Sequence, residues 1–299
     1  LLMGYSTNSN INGIGHKSRS LFNGPRLVGY PESHDEERIM YRAVNFGNNT
    51  VSSHNVADLN TALSRMSAIG AFSLMVPGPK MIWHFADLGM QNSIFTCDNG
   101  TVNEPGGTDG DCKLSTKPQP QWSENWISST NRKKIYGDWA RINLLKIKEP
   151  VFEGDYTISS GSLTPRIEIF DNSIPTTNLR NVIILANFVV LQKTINTNFP
   201  TSGDWVDLMD ESGNTTYSEA SIVLQPGEFK IFGNQKATLS NEDIELENNV
   251  LKLYPNPTSN SFSVNKAVNE VVIFDVTGKI VKRFANTNTN NNNNYSVTG

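Results

Sequence analysis

A short apolar run that ends in a dense group of charged residues constrains this chain more than any other feature. Arg26-Leu27-Val28-Gly29 leads into Tyr30-Pro31-Glu32-Ser33-His34-Asp35-Glu36-Glu37-Arg38. Proline lacks the backbone N–H that a strand ladder needs, so we predict a strand over residues 26–30 that stops at Pro31. A short strand that delivers histidine, carboxylates and arginine at its carboxyl end is how an α/β barrel presents an active site.

A second apolar segment follows after the length of one helix. Val76-Pro77-Gly78-Pro79-Lys80-Met81-Ile82-Trp83 predicts a short, fully buried strand over residues 81–83. The intervening residues 58–69 place apolar side chains at helical spacing, at Leu59, Leu63, Met66 and Ile69. A strand, helix and strand in this order favour a parallel sheet covered by outer helices.

A further helix is predicted from Asn131, a residue type that caps helix N-termini, to the residues before Pro150. One face of this helix is apolar, at Ile135, Trp139, Ile142 and Leu145. The order of elements therefore predicts that residues 1–150 form the carboxyl-terminal part of an α/β barrel.

These segments resemble the seventh and eighth barrel strands of glycoside hydrolase family 13, the α-amylase family, over about residues 1–235. The resemblance implies the end of a TIM (β/α)8 barrel in residues 1–150, followed by an all-β sandwich in residues 151–236. His84-Phe85-Ala86-Asp87 departs from the Gly-Asp/Glu turn that the family commonly has after its eighth strand.

The resemblance also implies roles for two residues. Asp35 would be the third carboxylate of the family, a catalytic group that stabilises the transition state, and His34 would bind the same sugar. We assign Arg38 to substrate binding, with a peripheral salt bridge to Asp35 or Glu32 as the alternative. The other carboxylates of the segment are expected to be solvated: Glu32, Glu36 and Glu37.

The nucleophile and the general acid of the family lie on earlier strands, and both would precede Leu1, so the chain alone is expected to be inactive. The implied function is retaining hydrolysis of α-1,4-glucosidic bonds in starch or glycogen by a secreted α-amylase-type enzyme. Two alternatives stay open: a branching or transglycosylating enzyme of the same family, and a non-catalytic glucan-binding surface protein.

Beyond Phe152 the apolar residues alternate with period two, which is typical of short strands. The predicted strands contain Ile167 and Ile169, residues 182–185, residues 222–224 and residues 229–232. The polar and acidic residues 237–249 are predicted to be a linker.

The last part of the chain, residues 250–299, opens with Tyr254-Pro255-Asn256-Pro257 and predicts strands over residues 271–274 and 280–284. It resembles the carboxyl-terminal sorting domain of proteins exported by the type IX secretion system of Bacteroidetes, without the last strand of that pattern. This resemblance implies a truncated sorting domain, secretion or attachment to the cell surface, and the type IX secretion machinery as a partner beside the α-glucan.

Composition excludes several other classes of protein. The 299 residues are 37% hydrophobic and 18% charged, with a formal net charge of −4. Nucleic-acid binding would call for a clustered basic face, so no nucleic acid is expected as a partner. No apolar run approaches the roughly 18 residues of a transmembrane segment.

The two cysteines, Cys97 and Cys112, share one loop rich in Gly, Asp and Asn. In an oxidising compartment they would form a disulfide, and two free thiols are the alternative. No cofactor or metal is expected in this chain, and Ca²⁺ is left open for a full-length protein. The acidic residues Asp98, Asp109 and Asp111 offer oxygen ligands, but their spacing matches no EF-hand.

Overall fold

The computed structural model divides into two compact units, Leu1–Thr238 and Leu239–Gly299. The structure describes residues 1–7, 9–103, 112–114, 119–238, 251–265, 267–285 and 294–297.

The described part of the first unit contains five α-helices, all before its strands. They are α1 (Ile39–Phe46), α2 (Leu59–Ser64), α3 (Met66–Leu74), α4 (Pro120–Ser123) and α5 (Thr130–Lys148). The single helix predicted over residues 58–69 is instead two helices that meet at Arg65. Arg65 N donates a hydrogen bond to Ala62 O, three residues earlier, at 3.2 Å, and this tighter turn interrupts the α-helix. Asp58 caps α2 as its residue type predicts, with its carboxylate accepting from Thr61 N at 2.9 Å.

Arg65, between these helices, is buried among backbone carbonyls. Its guanidinium donates to Leu2 O at 2.8 Å and to Phe188 O at 2.6 Å, and it lies 3.0 Å from His54 Nε2. Burial lowers the pKa of Arg65 to about 10, so the group stays charged at neutral pH. Arg65 is therefore one of the side chains that join the helical region to the residues after Phe152.

Helix α3 is buried on all sides and packs closely against α5. The Trp139 indole Nε1 on α5 donates to Met66 O at 3.0 Å and covers Gly70 on α3. The apolar face predicted for α5 is confirmed: Ile135, Trp139, Ile142 and Leu145 are all buried.

Lys146 on α5 holds the turn that follows α3. Its ammonium donates to Leu74 O at 2.8 Å, Val76 O at 2.5 Å and Gly78 O at 2.8 Å. Burial lowers the pKa of Lys146 to about 7, while the carbonyl dipoles around it favour the charged form. The turn therefore delivers Pro79 and Lys80 to a defined place beside Gly29.

The two predicted barrel strands are neighbours, but they are not full strands. Gly29 and Lys80 form one parallel bridge, in which Gly29 N donates to Pro79 O and Met81 N donates to Gly29 O, both at 3.1 Å. The prediction of a fully buried strand over residues 81–83 is wrong, since Ile82 is 36% exposed. Within the described residues neither segment has a second strand partner, so a complete TIM barrel is not present there.

The rest of the first unit consists of antiparallel sheets. Its described strands are β1 (Asp155–Ser159), β2 (Arg166–Phe170), β3 (Asn181–Ala186), β4 (Lys193–Asn196), β5 (Trp205–Asp207), β6 (Thr216–Tyr217), β7 (Ser221–Leu224) and β8 (Phe229–Gly233). Six of them form a sheet in the order β1-β2-β3-β8-β5-β6, and β4 pairs with β7. All the strands predicted from the alternating pattern are therefore confirmed.

The two sheets pack face to face over one apolar core. Ile195 on β4 and Leu224 on β7 share a buried cluster with Leu185, Trp205 and Phe232 of the larger sheet. Every residue of β3 is buried, because the sheet has side chains packed against both of its faces.

The second unit contains β9 (Leu253–Tyr254), β10 (Ser261–Val264), β11 (Glu270–Phe274), β12 (Ile280–Ala285) and β13 (Asn294–Ser296). Strand β10 pairs with β9 and β13, and β11 pairs with β12, all antiparallel. The predicted strands over residues 271–274 and 280–284 are confirmed. Phe262, Val264 and Tyr295 form the small core of this unit.

The contact between α3 and α5 gives a stability prediction. A methyl group at Gly70 would lie 2.2 Å from Trp139 Nε1, so we expect Gly70→Ala to lower the free energy of unfolding by about 1–3 kcal/mol. The matched control is Gly137→Ala on α5, where nothing lies within 4 Å of the added atom and helix propensity should raise stability by about 1 kcal/mol. Urea titrations followed by circular dichroism measure both, and changes of the same sign would contradict this packing.

Candidate active site

The charged residues 32–38, here called the acidic turn, are anchored by a buried ion pair. Glu32 Oε1 lies 3.3 Å from Arg38 Nη1, and both side chains are almost fully buried. The other oxygen, Oε2, accepts from Ile39 N at 2.9 Å, so Glu32 also caps the start of α1. The contacts of Glu32 with Arg38 and Ile39 therefore join the two ends of the acidic turn in the protein interior.

Arg38 connects the acidic turn to the segment that follows Lys80. Its guanidinium donates to His84 O at 2.7 Å and lies 3.3 Å from His84 Nδ1. Burial raises the pKa of Glu32 against the opposing effect of Arg38, and burial lowers the pKa of Arg38 against the opposing effect of Glu32. The Arg38 side chain is 3% exposed, so its predicted contact with substrate stays a prediction while its contact with Glu32 is visible.

His34 and Asp35 lie together at the exposed outer side of the turn. Their side chains are 66% and 64% exposed, and His34 Nε2 lies 3.4 Å from Asp35 Oδ2. Asp35 N donates to Ser33 Oγ at 3.1 Å, and the other carboxylate oxygen, Oδ1, lies 3.1 Å from Lys113 Nζ. His34 and Asp35 are neighbours in the sequence, and the fold places Lys113 beside them.

Glu37 points the other way and organises a neighbouring loop. Its carboxylate accepts from Ser93 Oγ at 2.5 Å and from Ile94 N at 3.0 Å. The expectation that Glu32 and Glu37 are solvated is therefore wrong, because each binds backbone amides that belong to other segments, whereas Glu36 is exposed as expected.

Cys97 and Cys112 are joined by a disulfide. Lys113 follows Cys112 directly, and the sequence analysis does not predict it as a site residue. Its position next to a cysteine is the one sequence feature that could have pointed to it. Of the acidic residues considered as Ca²⁺ ligands, Asp109 and Asp111 lie outside the described residues. Among the described side chains, no group of three or more His, Cys, Asp or Glu is placed to hold a metal ion.

A small cavity of about 50 Å³ lies beside His34. Trp83, Asn92 and Lys113 are among its lining residues. The Trp83 indole Nε1 and Asn92 Oδ1 are buried and have no hydrogen-bond partner within the described part of the chain. Both atoms are inaccessible to solvent, so neither is exposed to a molecule that enters the cavity.

Part of the chain matches a known family by sequence. The family model of the secretion system C-terminal sorting domain matches residues 252–299. The sorting domain indicates export by type IX secretion to the cell surface or the extracellular space, which confirms the predicted localisation. Within the described residues, no helix has the length and apolar character that a membrane crossing requires. No curated protein matches this chain by sequence.

Several solved structures of glycoside hydrolases are similar in fold. AmyP, in a crystal structure with maltose, is 14% identical with a TM-score of 0.50, and the match covers 71% of this chain and 41% of AmyP. An Anoxybacillus α-amylase is 13% identical, with a TM-score of 0.45 and coverage of 72% of this chain and 39% of that enzyme. A pullulanase from Bacillus acidopullulyticus is 15% identical, with a TM-score of 0.45 and coverage of 69% and 24%.

The chain therefore spans less than half the length of each of these structures. The likeness to AmyP concerns fold alone. The described residues of this chain combine helices with antiparallel sheets.

The buried ion pair predicts that Arg38 stabilises the fold, whereas an exposed arginine would not. We expect Arg38→Met to lower the free energy of unfolding by about 3–5 kcal/mol, because Glu32 would be left as an unpaired buried charge. The control is Arg42→Met, an exposed arginine one turn further along α1, which should change stability by no more than about 0.5 kcal/mol. Chemical denaturation of both variants measures the difference, and equal stabilities would show that Glu32 does not depend on Arg38.

Proposed function

We propose that this chain is the carboxyl-terminal part of an exported α-glucan-acting glycoside hydrolase from a Bacteroidetes-type bacterium. In this proposal residues 1–150 complete a (β/α)8 catalytic barrel, residues 151–236 form its β-sandwich, residues 237–249 are a linker and residues 250–299 are the sorting domain. The fold likeness to AmyP and the parallel bridge between Gly29 and Lys80 support the barrel assignment.

The observation that carries the proposal is the paired, exposed placement of His34 and Asp35 after a segment that bridges its neighbour in parallel. The carboxyl ends of parallel strands meet at one edge of a barrel, where active sites of this architecture are built. The buried Glu32 and Arg38 hold the backbone beneath the pair, so both side chains face outward from a supported turn.

Cleavage of a glucosidic bond passes through an oxocarbenium-like state, which a nearby carboxylate stabilises electrostatically. Asp35 is the residue proposed for this role, and the imidazole of His34 is proposed to hydrogen-bond the same sugar ring. The nucleophile and the general acid would be supplied by earlier segments of the polypeptide, and retention of anomeric configuration follows from the family mechanism. The proposal requires no cofactor from this chain and assigns a Ca²⁺ requirement to none of its residues.

The substrate proposed is therefore an α-1,4-linked glucan, with hydrolysis as the reaction. The residues of this chain would serve hydrolysis and glucosyl transfer equally, because both reactions share the same transition state at the donor sugar. Product analysis of the polypeptide extended upstream of Leu1 distinguishes them, and an extension without a strand-borne acid and nucleophile would leave only glucan binding.

The role of Asp35 predicts a large loss of turnover. In the upstream-extended polypeptide, Asp35→Asn should lower kcat on soluble starch by about 10²-fold or more, because a preorganised charge is lost from the transition state. Asp138→Asn, which removes the carboxylate of the surface pair with Lys134, is the matched control and should leave kcat unchanged. Turnover of Asp35→Asn within a few-fold of wild type would refute the assignment.

The sorting domain predicts a change of location. Deleting residues 250–299 should leave the protein inside the cell envelope, because the segment matched by the sorting-domain model is lost. The deletion removes residues of the second compact unit only, so the thermal unfolding of the first unit serves as the folding control. Fractionation and surface proteolysis of producing cells measure location, and unchanged display at the surface would contradict the role of this domain.

A further inference from the structure

The contact between Lys113 and Asp35 joins two parts of the chain that are 78 residues apart. Lys113 Nζ lies 3.1 Å from Asp35 Oδ1, and the lysine side chain is 24% exposed. The Asp35 carboxylate itself is 64% exposed. Ion pairs between such solvent-accessible groups are weak, since a long side chain loses much rotational freedom in holding one geometry. The segment that carries Lys113 is a further constraint on its position.

That constraint is visible as a closed series of contacts that starts and ends in the acidic turn. Glu37, two residues after Asp35, binds Ser93 Oγ and Ile94 N. The loop that continues from there is closed by hydrogen bonds from Asn103 N to Phe95 O at 3.1 Å and from Cys97 N to Thr101 O at 2.8 Å.

The disulfide completes this series. It joins Cys97 to Cys112, and the next residue, Lys113, returns to Asp35. All of these contacts lie within the described residues. Apart from the backbone, the disulfide is their one covalent connection between the loop that binds Glu37 and Lys113.

We propose that Lys113 is a positioning residue for Asp35 and that the Cys97–Cys112 disulfide holds it there. The inference rests on the proposed function for its catalytic meaning, but the contact and its dependence on the disulfide stand on geometry alone. Lys113 engages Oδ1 while His34 faces Oδ2, so the carboxylate is held between two nitrogen groups and its orientation toward a sugar is set.

The contact is tested by carbodiimide coupling of the chain, followed by mass spectrometry of the peptides. The reagent condenses an amine and a carboxylate that touch into an amide with loss of water. We expect an Lys113–Asp35 cross-link in the oxidised protein, and at least a five-fold lower yield in the double variant Cys97→Ser/Cys112→Ser. The internal control is the Lys230–Asp207 pair, 2.9 Å apart on the sandwich, whose yield should be the same in both proteins.

Equal Lys113–Asp35 yields with and without the disulfide would overturn the proposal, as would no such product in a sample where Lys230 and Asp207 couple. The control pair also reports folding, so loss of both products identifies a misfolded variant. In that case, mild reduction of the folded wild-type protein provides the comparison in place of the double variant.

The catalytic meaning is tested in the upstream-extended polypeptide. Lys113→Met should lower kcat on soluble starch roughly 10-fold with little change in KM, less than the about 10²-fold that a 1 Å misplacement can cost. Lys113→Arg should restore most of the loss, since it keeps a donor and a charge at Asp35. An unchanged kcat in Lys113→Met would overturn the positioning role. Absence of any activity in the wild-type polypeptide would instead count against the proposed function, and the coupling experiment would still decide the contact.

Discussion

The buried ion pair of Glu32 and Arg38 is the interaction on which the candidate site depends. Taking two charges out of water is costly, and burial opposes the charged form of each partner. The cost is offset by further hydrogen bonds, from Ile39 N to Glu32 and from Arg38 to His84 O. The pair therefore contributes geometry more than net stability, because it fixes the start of α1 and the approach of the His84 segment together.

The acidic turn shows why a charged segment is difficult to interpret from sequence. His34, Asp35 and Glu36 are exposed, while Glu32 and Arg38 are buried within the same nine-residue stretch that begins at Tyr30. No periodicity separates the two groups, since the turn belongs to neither a helix nor a strand. Which charge lies inside is decided by partners distant in the chain, such as Ser93 for Glu37 and His84 for Arg38.

Periodicity predicts buried faces and strands well, although it does not reveal the break at Arg65 within the helical pattern of residues 58–69. The buried face of α5 and the strands β2, β3, β7 and β8 follow directly from the spacing of their apolar residues. Strand β4 was missed because only Ile195 of its four residues is buried, so no alternation can be read from it. Helix α1 was missed for a related reason, since its first turn is set by the Glu32 carboxylate rather than by a capping residue of its own.

The disulfide between Cys97 and Cys112 also implies an order in which the parts of the candidate site form. Thiols stay reduced in the cytosol and pair in oxidising compartments, and the sorting domain indicates that this chain leaves the cytosol. His34 and Asp35 rest on contacts that involve no cysteine, so they can be in place as soon as the chain folds. The link that carries Lys113 would therefore form only after the chain has left the cytosol.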